Sequence, residues 1–390
     1  MEETIKSEVA EGILNDEMLE NMRKKIGLKM RLEGYVNNEE VTKSAIRRFV
    51  NGVGDTNPLW LNEEYARKSR YGRLVAPPQW IWTVCAGVQM GWRGLAGFHS
   101  STDQEFYKPM LLGDKIMPEV IFAGFEGPFP SKFGERVVRD YYDNMYWNQK
   151  GEVVAKLRWW VHRVERKKIK EKGTHKSFQL PHPWTEEELK KIEDEVLGEE
   201  IRGPNPRYWE DVNIGDELTP LVKGPLGITD MVARFVGGAT ATQLKAHGAA
   251  LREYRKHPAW AFRDPVTYAL EPIVAVHYKK AAANLQGLPF PYDAGIARHC
   301  WLGHFLTNWM GDEGWLKKCY AEYRAFVFFS DVVWLRGKVV KKYVDGGGEH
   351  CVDIETSTFN QRGEECMPGK STVVLPSREK GATPLDRRLS

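Results

Sequence analysis

The sequence has no apolar run near the ~20 residues that cross a bilayer as a helix, which argues against an integral membrane protein of that type. Its first residues, MEETIKSEVAEG, are acidic and carry no apolar core, so no secretory signal is expected. Charge of one sign is missing too: 56 Lys and Arg stand against 53 Asp and Glu, a net +3 spread evenly along the chain. That excludes the basic footprint of a nucleic-acid binder. The five cysteines, Cys85, Cys300, Cys319, Cys351 and Cys366, show no Cys-x-x-Cys spacing. A disulfide framework or a zinc knuckle is therefore not expected. There is no Gly-x-Ser-x-Gly elbow and no His-Glu-x-x-His pair, and Gly346-Gly347-Gly348 precedes a strand-like run, as a hairpin turn does. No metal and no separate cofactor are expected. The 390 residues, 42% hydrophobic and 28% charged, suit a cytoplasmic globular chain of two or three domains at about 150 residues each. Aromatics are abundant, with 14 Trp, 15 Tyr and 16 Phe, enough to line a pocket for a large ligand.

The chain repeats itself at long period. Asn148-Gln149-Lys150-Gly151-Glu152 returns as Asn360-Gln361-Arg362-Gly363-Glu364, an offset of 212. Glu105-Phe106-Tyr107 with Gly113-Asp114 returns as Glu322-Tyr323-Arg324 with Ser330-Asp331, an offset of 217 at both ends. Arg48-Phe49-Val50 returns as Arg234-Phe235-Val236 at 186. The preserved order implies a duplicated domain. The jump from 186 to 217 implies about 31 extra residues in the second copy, between Val236 and His277.

One copy reads as follows. Residues 30–36 are strand-like. Thr42 caps a short amphipathic helix through Val50, and 51–58 is a Gly/Asp/Asn/Pro loop. Glu63 to Ser69 is a short charged helix, and Trp80 to Gly91, apolar all round, reads as a buried helix. Strands follow at 102–109, 114–125, 136–147 and 152–165, with a tight turn at Asn148–Gly151. A buried helix wrapped by a curved antiparallel meander is an α+β hotdog, and the repeat makes it a double hotdog. The expected domains are 1–168 and 208–378, the latter with an insertion at about 237–271. A linker at 169–207 holds a charged helix opened by the capping box Thr185…Glu188, and 379–390 is expected to be a loose tail. The basic run 166–172 suits a solvated face better than a phosphate site.

The sharpest local signal is Gly54-Asp55-Thr56-Asn57-Pro58-Leu59-Trp60, then Asn62 to Ala66 and Tyr71-Gly72-Arg73-Leu74-Val75-Ala76-Pro77. This segment resembles the hydratase motif of MaoC-like dehydratases, the R-specific enoyl-CoA hydratases. The first half in particular resembles the fatty-acid-synthase-like, MaoC N-terminal dehydratase domain. The resemblance covers most of the chain, is specific at 54–78 and is diffuse elsewhere. It implies an acid/base pair of Asp and His, with Asn placing the water, and so points to Asp55 and Asn57. Hydration needs a base for water, a proton for Cα and a donor for the thioester carbonyl; a polar pair and a helix N-terminus in a dry tunnel can supply these. The departure is Trp60, where the family has His; Trp60 becomes a substrate-contact candidate. Asp55 and Asn57 also suit a plain turn cap.

At the offset of 217, position 60 falls on His277 and position 55 on Pro272. The second copy therefore has the His and lacks the Asp, with Glu271 and Asp264 as possible substitutes. Its central helix runs from Tyr292 and Asp293 through Gly295 to Asp312. Gly295 is the candidate carbonyl donor, Asp293 a candidate carboxylate or helix cap, and Tyr292 a substrate contact. His304, in one stripe with Trp301 and Asn308, belongs to the site or to the interface between copies. His299 faces another way, and Cys300 reads as core. The favoured site comprises His277, Asp293 and His304 in the second copy. A composite of Asp55 with His277 would require the two loops to meet. The expected activity is reversible hydration of a 2-enoyl-CoA, and the abundance of aromatics points to a bulky or cyclic acyl group. The alternatives are a hotdog thioesterase using Asp293 and a non-catalytic acyl-binding subunit of a heteromeric dehydratase. The expected partners are an acyl-CoA substrate and further double-hotdog chains, in a homodimer or higher oligomer or in a heteromer. Neither a nucleic-acid nor a membrane partner is expected.

Overall fold

Alternating burial along the long strands sets the architecture. Asp140, Tyr142, Asn144 and Tyr146 are buried while their sequence neighbours stay half-exposed, the period-2 pattern of a sheet with one covered face. A computed structural model describes residues 9–172, 178–238, 244–379 and 383–389. Its main sheet has nine strands: β1 Leu95–Phe106, β2 Met117–Ser131, β3 Gly134–Trp147, β4 Val153–Glu165, β5 Leu221–Lys223, β6 Trp315–Glu322, β7 Val333–Val344, β8 His350–Asn360 and β9 Gly369–Val374. They lie in the order β2-β3-β4-β1-β6-β9-β8-β7-β5, and every pairing is antiparallel. Inside the extra edge strand β5 of the second half, each half reads the same way toward the centre, and the halves join where β1 pairs with β6, Glu105 opposite Lys318. This is a double hotdog.

The repeated segments adopt the same local structure. In the first turn Asn148 Oδ1 accepts from Lys150 N and Glu152 N, and Gly151 N donates to Asn148 O. Asn360 does the same with Arg362, Glu364 and Gly363. Asp114 accepts from Leu111 N and Gln149 Nε2; Asp331 accepts from Phe328 N and Gln361 Nε2. The third pair sits on two helices packed together, α1 Lys43–Val53 and α2 Ile228–Val236. A Cβ on Gly52 would meet Arg234 Cα at 2.8 Å, and one on Gly237 would meet Phe49 Cα at 3.1 Å.

The central elements of the two halves differ. Helix α3, Gly295–Met310, is continuous, and every residue from Ile296 to Met310 is buried. The first half has only a 3-10 turn, Pro78–Thr83, where a helix through Gly91 was expected. Gly87 and Gly94 take left-handed φ of 63° and 78°, which no continuing helix permits. The apolar run is buried, as expected, but as irregular chain. The two elements touch at Gly303, where a Cβ would strike the Gln79 side chain at 2.1 Å.

Two further expectations change. Residues 30–36 form no strand; the edge contact is made at 27–30, with Met30 N donating to Val120 O at 2.7 Å. Of the tail, the described residues 383–389 are docked: Leu385 has no exposed surface and Arg388 pairs with Glu349 at 2.6 Å. The segment between α2 and His277 contains helix α4 His247–Lys256, which precedes α3 in the chain, and a hairpin of Ala261–Arg263 with Leu270–Pro272. The capping box of the linker helix is present, Thr185 with Glu188.

Candidate active site

The segments before α3 place His277. Ile273–His277 is a single 3-10 turn, and the chain reverses at Lys280–Leu285 before running into α3. The His277 ring lies 4.9 Å from the Tyr292 ring and edge-on to it. Its Nδ1 is 3.0 Å from Tyr292 O. A carbonyl only accepts, so Nδ1 carries the hydrogen and Nε2 keeps a lone pair. Burial pushes the imidazole down to about 4, only partly offset by its hydrogen bonds to backbone. At neutral pH the ring is uncharged and able to accept a proton.

His277, Tyr292, Asp293 and Gly295 line one cavity of about 930 Å³. Its far wall is the irregular stretch 87–94 of the first half, with Gly97, His99 and Trp159. Gly295 is the first residue of α3, and the N–H groups of a helix's first turn have no intrahelical acceptor. A thioester carbonyl at this point would meet donors and the positive end of the helix dipole.

Asp293 lines the cavity but is not a free carboxylate. It has no exposed side-chain surface and is held by Arg298 Nε at 2.6 Å. Burial raises its pKa against the pull of Arg298. Arg298 in turn donates to Ala325 O and Cys366 O, so the pair ties the start of α3 to the connections that follow β6 and β8. The possible substitutes are also engaged: Lys279 holds both Asp264 and Glu271 at 3.0 Å.

The first-half residues lie elsewhere. Asp55 Oδ1 accepts from Asn57 N at 3.0 Å, and Oδ2 accepts from the Trp60 indole N–H at 2.9 Å. Asn57 Oδ1 accepts from Leu59 N at 2.9 Å, capping the turn that follows. His304, expected beside His277, is instead 3.5 Å from Asp55 Oδ1 and 2.6 Å from Glu199 Oε1. Asn308 Nδ2 donates to the same Glu199 oxygen at 2.7 Å. Burial alone would raise Glu199, but His304, Lys223 and Asn308 outweigh it and hold the group below the ordinary range. The linker continues across this cluster: Arg202 N donates to Asn308 O and Asp312 N to Gly203 O. Tyr65 closes it with a 2.6 Å hydrogen bond to Asp312. Trp60 and His304 thus line no part of the large cavity, because indole, linker and helix occupy that space. Asp55 and His277 do not meet; each faces its own partners.

The sequence reading missed Glu199 and His99. Glu199 sits in a charged linker with nothing to distinguish it from its neighbours. His99 lies on a strand outside any motif. Cys300 is buried core, and burial pushes its thiol up to about 12. Of the basic run, Arg166 is buried and donates to Gly94 O at 2.9 Å and to Ala10 O. Among the described residues no helix is long and apolar enough to cross a membrane.

Comparison with known proteins follows the same outline. Residues 30–157 match the FAS1-like, dehydratase domain region family. A probable enoyl-CoA hydratase alpha subunit of Thermomonospora curvata is 29% identical over 169 residues, 37% of this chain and 51% of that protein. A UPF0336 protein of Streptomyces griseus is 28% identical over 85 residues, 20% of this chain and 57% of that one. The chain thus spans about half the length of these curated relatives. Among solved structures, one described as a MaoC-like dehydratase superposes with a TM-score of 0.62 at 15% identity, covering 91% of this chain and all of that one. A putative MaoC domain protein dehydratase of Chloroflexus aurantiacus superposes at 0.53 and 11% identity, covering 90% of this chain and 96% of that one. A Mycobacterium tuberculosis protein described as having a double hotdog fold reaches 0.50 at 9% identity, with 90% and 96% covered.

Proposed function

We propose that this chain, a MaoC-like dehydratase by its double-hotdog fold and its FAS1-like first half, hydrates a 2-enoyl-CoA reversibly at His277. The observation that carries this reading is that His277, whose Nδ1 is held by Tyr292 O, shares one large cavity with the start of α3. Nε2 removes a proton from water as its oxygen adds to Cβ. The π electrons move toward the carbonyl, where the helix N-terminus receives the developing charge. Cα then takes that proton from the His277 imidazolium, which returns the ring to its neutral form, so one group serves as both base and acid. A base with a pKa of about 4 is weak but correctly ionised.

The first-half wall supports a bulky acyl group. Where a second central helix would fill the space, residues 87–94 run as irregular chain with Gly87, Gly91 and Gly94. This leaves room beside Trp159 and Phe98 that a short acyl chain would not use. A thioesterase is disfavoured because Asp293 is committed to Arg298.

The test is loss of enoyl absorbance with purified chain and a panel of 2-enoyl-CoA substrates. Hydration that falls at least about 100-fold in His277→Ala supports the reading; undiminished hydration in that variant refutes it. One observation favours a second reading, an acyl-binding subunit of a heteromeric hydratase: Asp293, Asp264 and Glu271, the carboxylates nearest the motif, are all paired with cations. The name of the Thermomonospora curvata relative, an alpha subunit, fits it. Activity that appears only on adding a second hotdog chain would favour this alternative.

A further inference from the structure

The cavity has a second deep imidazole, His99, which comes from the first half. A β-bulge between His99 and Ser101 breaks the register of β1 against β4, and such bulges re-aim side chains. The ring is fixed by three aromatic neighbours: Tyr323 at 4.6 Å, Trp159 at 5.6 Å and Trp82 at 6.0 Å. It keeps partial exposure although it lies deep in the fold, and it lines the cavity. Its Nδ1 points at the start of α3: a Cβ on Gly295 would lie 3.0 Å from it. Gly295 is therefore needed for His99 to approach, and the two occupy one corner of the cavity.

Behind His99 runs a chain of hydrogen bonds. His99 Nε2 is 2.8 Å from Thr102 Oγ1. Tyr323 Oη donates to Thr102 Oγ1 at 3.1 Å and is 2.9 Å from His299 Nδ1. His299 Nε2 is buried without a partner. These facts set a direction. If Nε2 of His299 carried its hydrogen, a donor would be stranded in the core, which is rarer than a stranded acceptor. The hydrogen therefore belongs on Nδ1 of His299 and is donated to Tyr323. Tyr323 donates to Thr102, Thr102 donates to His99 Nε2, and the remaining hydrogen of His99 lies on Nδ1, facing the cavity.

We propose that His99 is a catalytic hydrogen-bond donor contributed across the two halves: its neutral Nδ1–H, beside the N-terminus of α3, binds the thioester carbonyl and polarises it. A neutral imidazole suits this work because it donates without transferring its proton, so no charge has to be returned after the step. Burial, with the nearby charge of Arg298, outweighs a hydrogen bond to the Ser101 backbone, holds His99 well below the ordinary range and keeps it neutral. Thr102, Tyr323 and His299 are positioning residues that select the tautomer. The inference rests on the hydratase reading for its substrate, and it divides the work of the site: His277 acts on water and His99 on the carbonyl.

The test separates carbonyl binding from turnover. A para-dimethylaminocinnamoyl-CoA absorbs at longer wavelength when its carbonyl is polarised, so its bound spectrum reports the donor without any reaction. The proposal expects a red shift in wild type and in His277→Ala, and loss of the shift in His99→Ala with the probe still bound. His99→Asn, which keeps a donor, should restore part of the shift and covers the case in which the alanine variant does not fold. Tyr323→Phe should weaken the shift and lower kcat with KM little changed. With a hydrated substrate, His99→Ala should lose about 100-fold in kcat, the scale of an oxyanion donor. A full red shift in His99→Ala, or none in wild type with the probe bound, overturns the role of His99. If wild type binds and polarises the probe but hydrates no enoyl-CoA, the hydratase reading fails while the donor stands.

Discussion

The two halves began from one plan and now handle the same site in opposite ways. In the first half the loop survives, with Asp55 and Asn57 in place, but Trp60, which cannot carry a proton at neutral pH, stands where the resembled motif has its His. Its indole donates to Asp55, and Glu199, His304 and Tyr65 fill the surroundings. In the second half the imidazole survives as His277, the carboxylate is gone, and about 930 Å³ stays open. A motif is thus not a site. Asp55 is the better match to the family pattern, yet its two oxygens are used in holding the fold. His277 is the poorer match, yet it faces space that a substrate could enter.

The largest expected break in this comparison is His277→Ala. Hydration should fall at least about 100-fold with the melting temperature nearly unchanged, measured by enoyl absorbance and calorimetry. Asp55→Ala should do the reverse. It strands the indole and amide donors that Asp55 satisfies and removes a neighbour of His304, so the fold should lose about 3 kcal/mol in chemical unfolding while kcat per folded molecule is kept. Restoring the family residue with Trp60→His should yield no second activity, because the linker still covers the loop. It should cost about 2 kcal/mol through lost aromatic packing. Hydration recovered in a Trp60→His, His277→Ala double variant would break the comparison.

A smaller effect concerns pH. Burial lowers His277 and His162 to about 4 and His299 to about 3, against 6.5 for a free imidazole. Between pH 6.5 and about 4 the unfolded chain binds protons that the folded chain refuses. Stability therefore falls as pH drops through that window and levels off above it. Thermal melts from pH 8 to pH 4 should show the decline, and a flat profile would mean that these rings are not neutral inside.

How much of this was legible in the sequence depended on range. The hairpin turns at Asn148 and Asn360, the Asp114 and Asp331 turns and the Thr185 box are set by residues a few places apart, and their repetition announced the duplication. The order of strands did not follow: a plain meander would pair β1 with β2, whereas β1 pairs with β4 and β6. The helix expected at 80–91 failed because apolar composition reports burial and not conformation; Gly87 and Gly94 were the signal to weigh. The site was harder. His277 was singled out by register alone, and the cavity it lines could not be read from the sequence. His304 was placed by its neighbours on the helix, but its contacts come from Glu199 in a linker more than 100 residues away. His99 carries no local mark at all: a bulge turns it, and the other half of the chain gives it meaning.

The account stands on one working site per chain, in the second half. Its most direct test is calorimetric titration of the chain with a thioether analogue of a bulky enoyl-CoA, which binds without reacting. One analogue bound per chain, with the same stoichiometry in Asp55→Ala, is the predicted result. Two bound per chain, or one whose binding is abolished by Asp55→Ala in a folded protein, would contradict it.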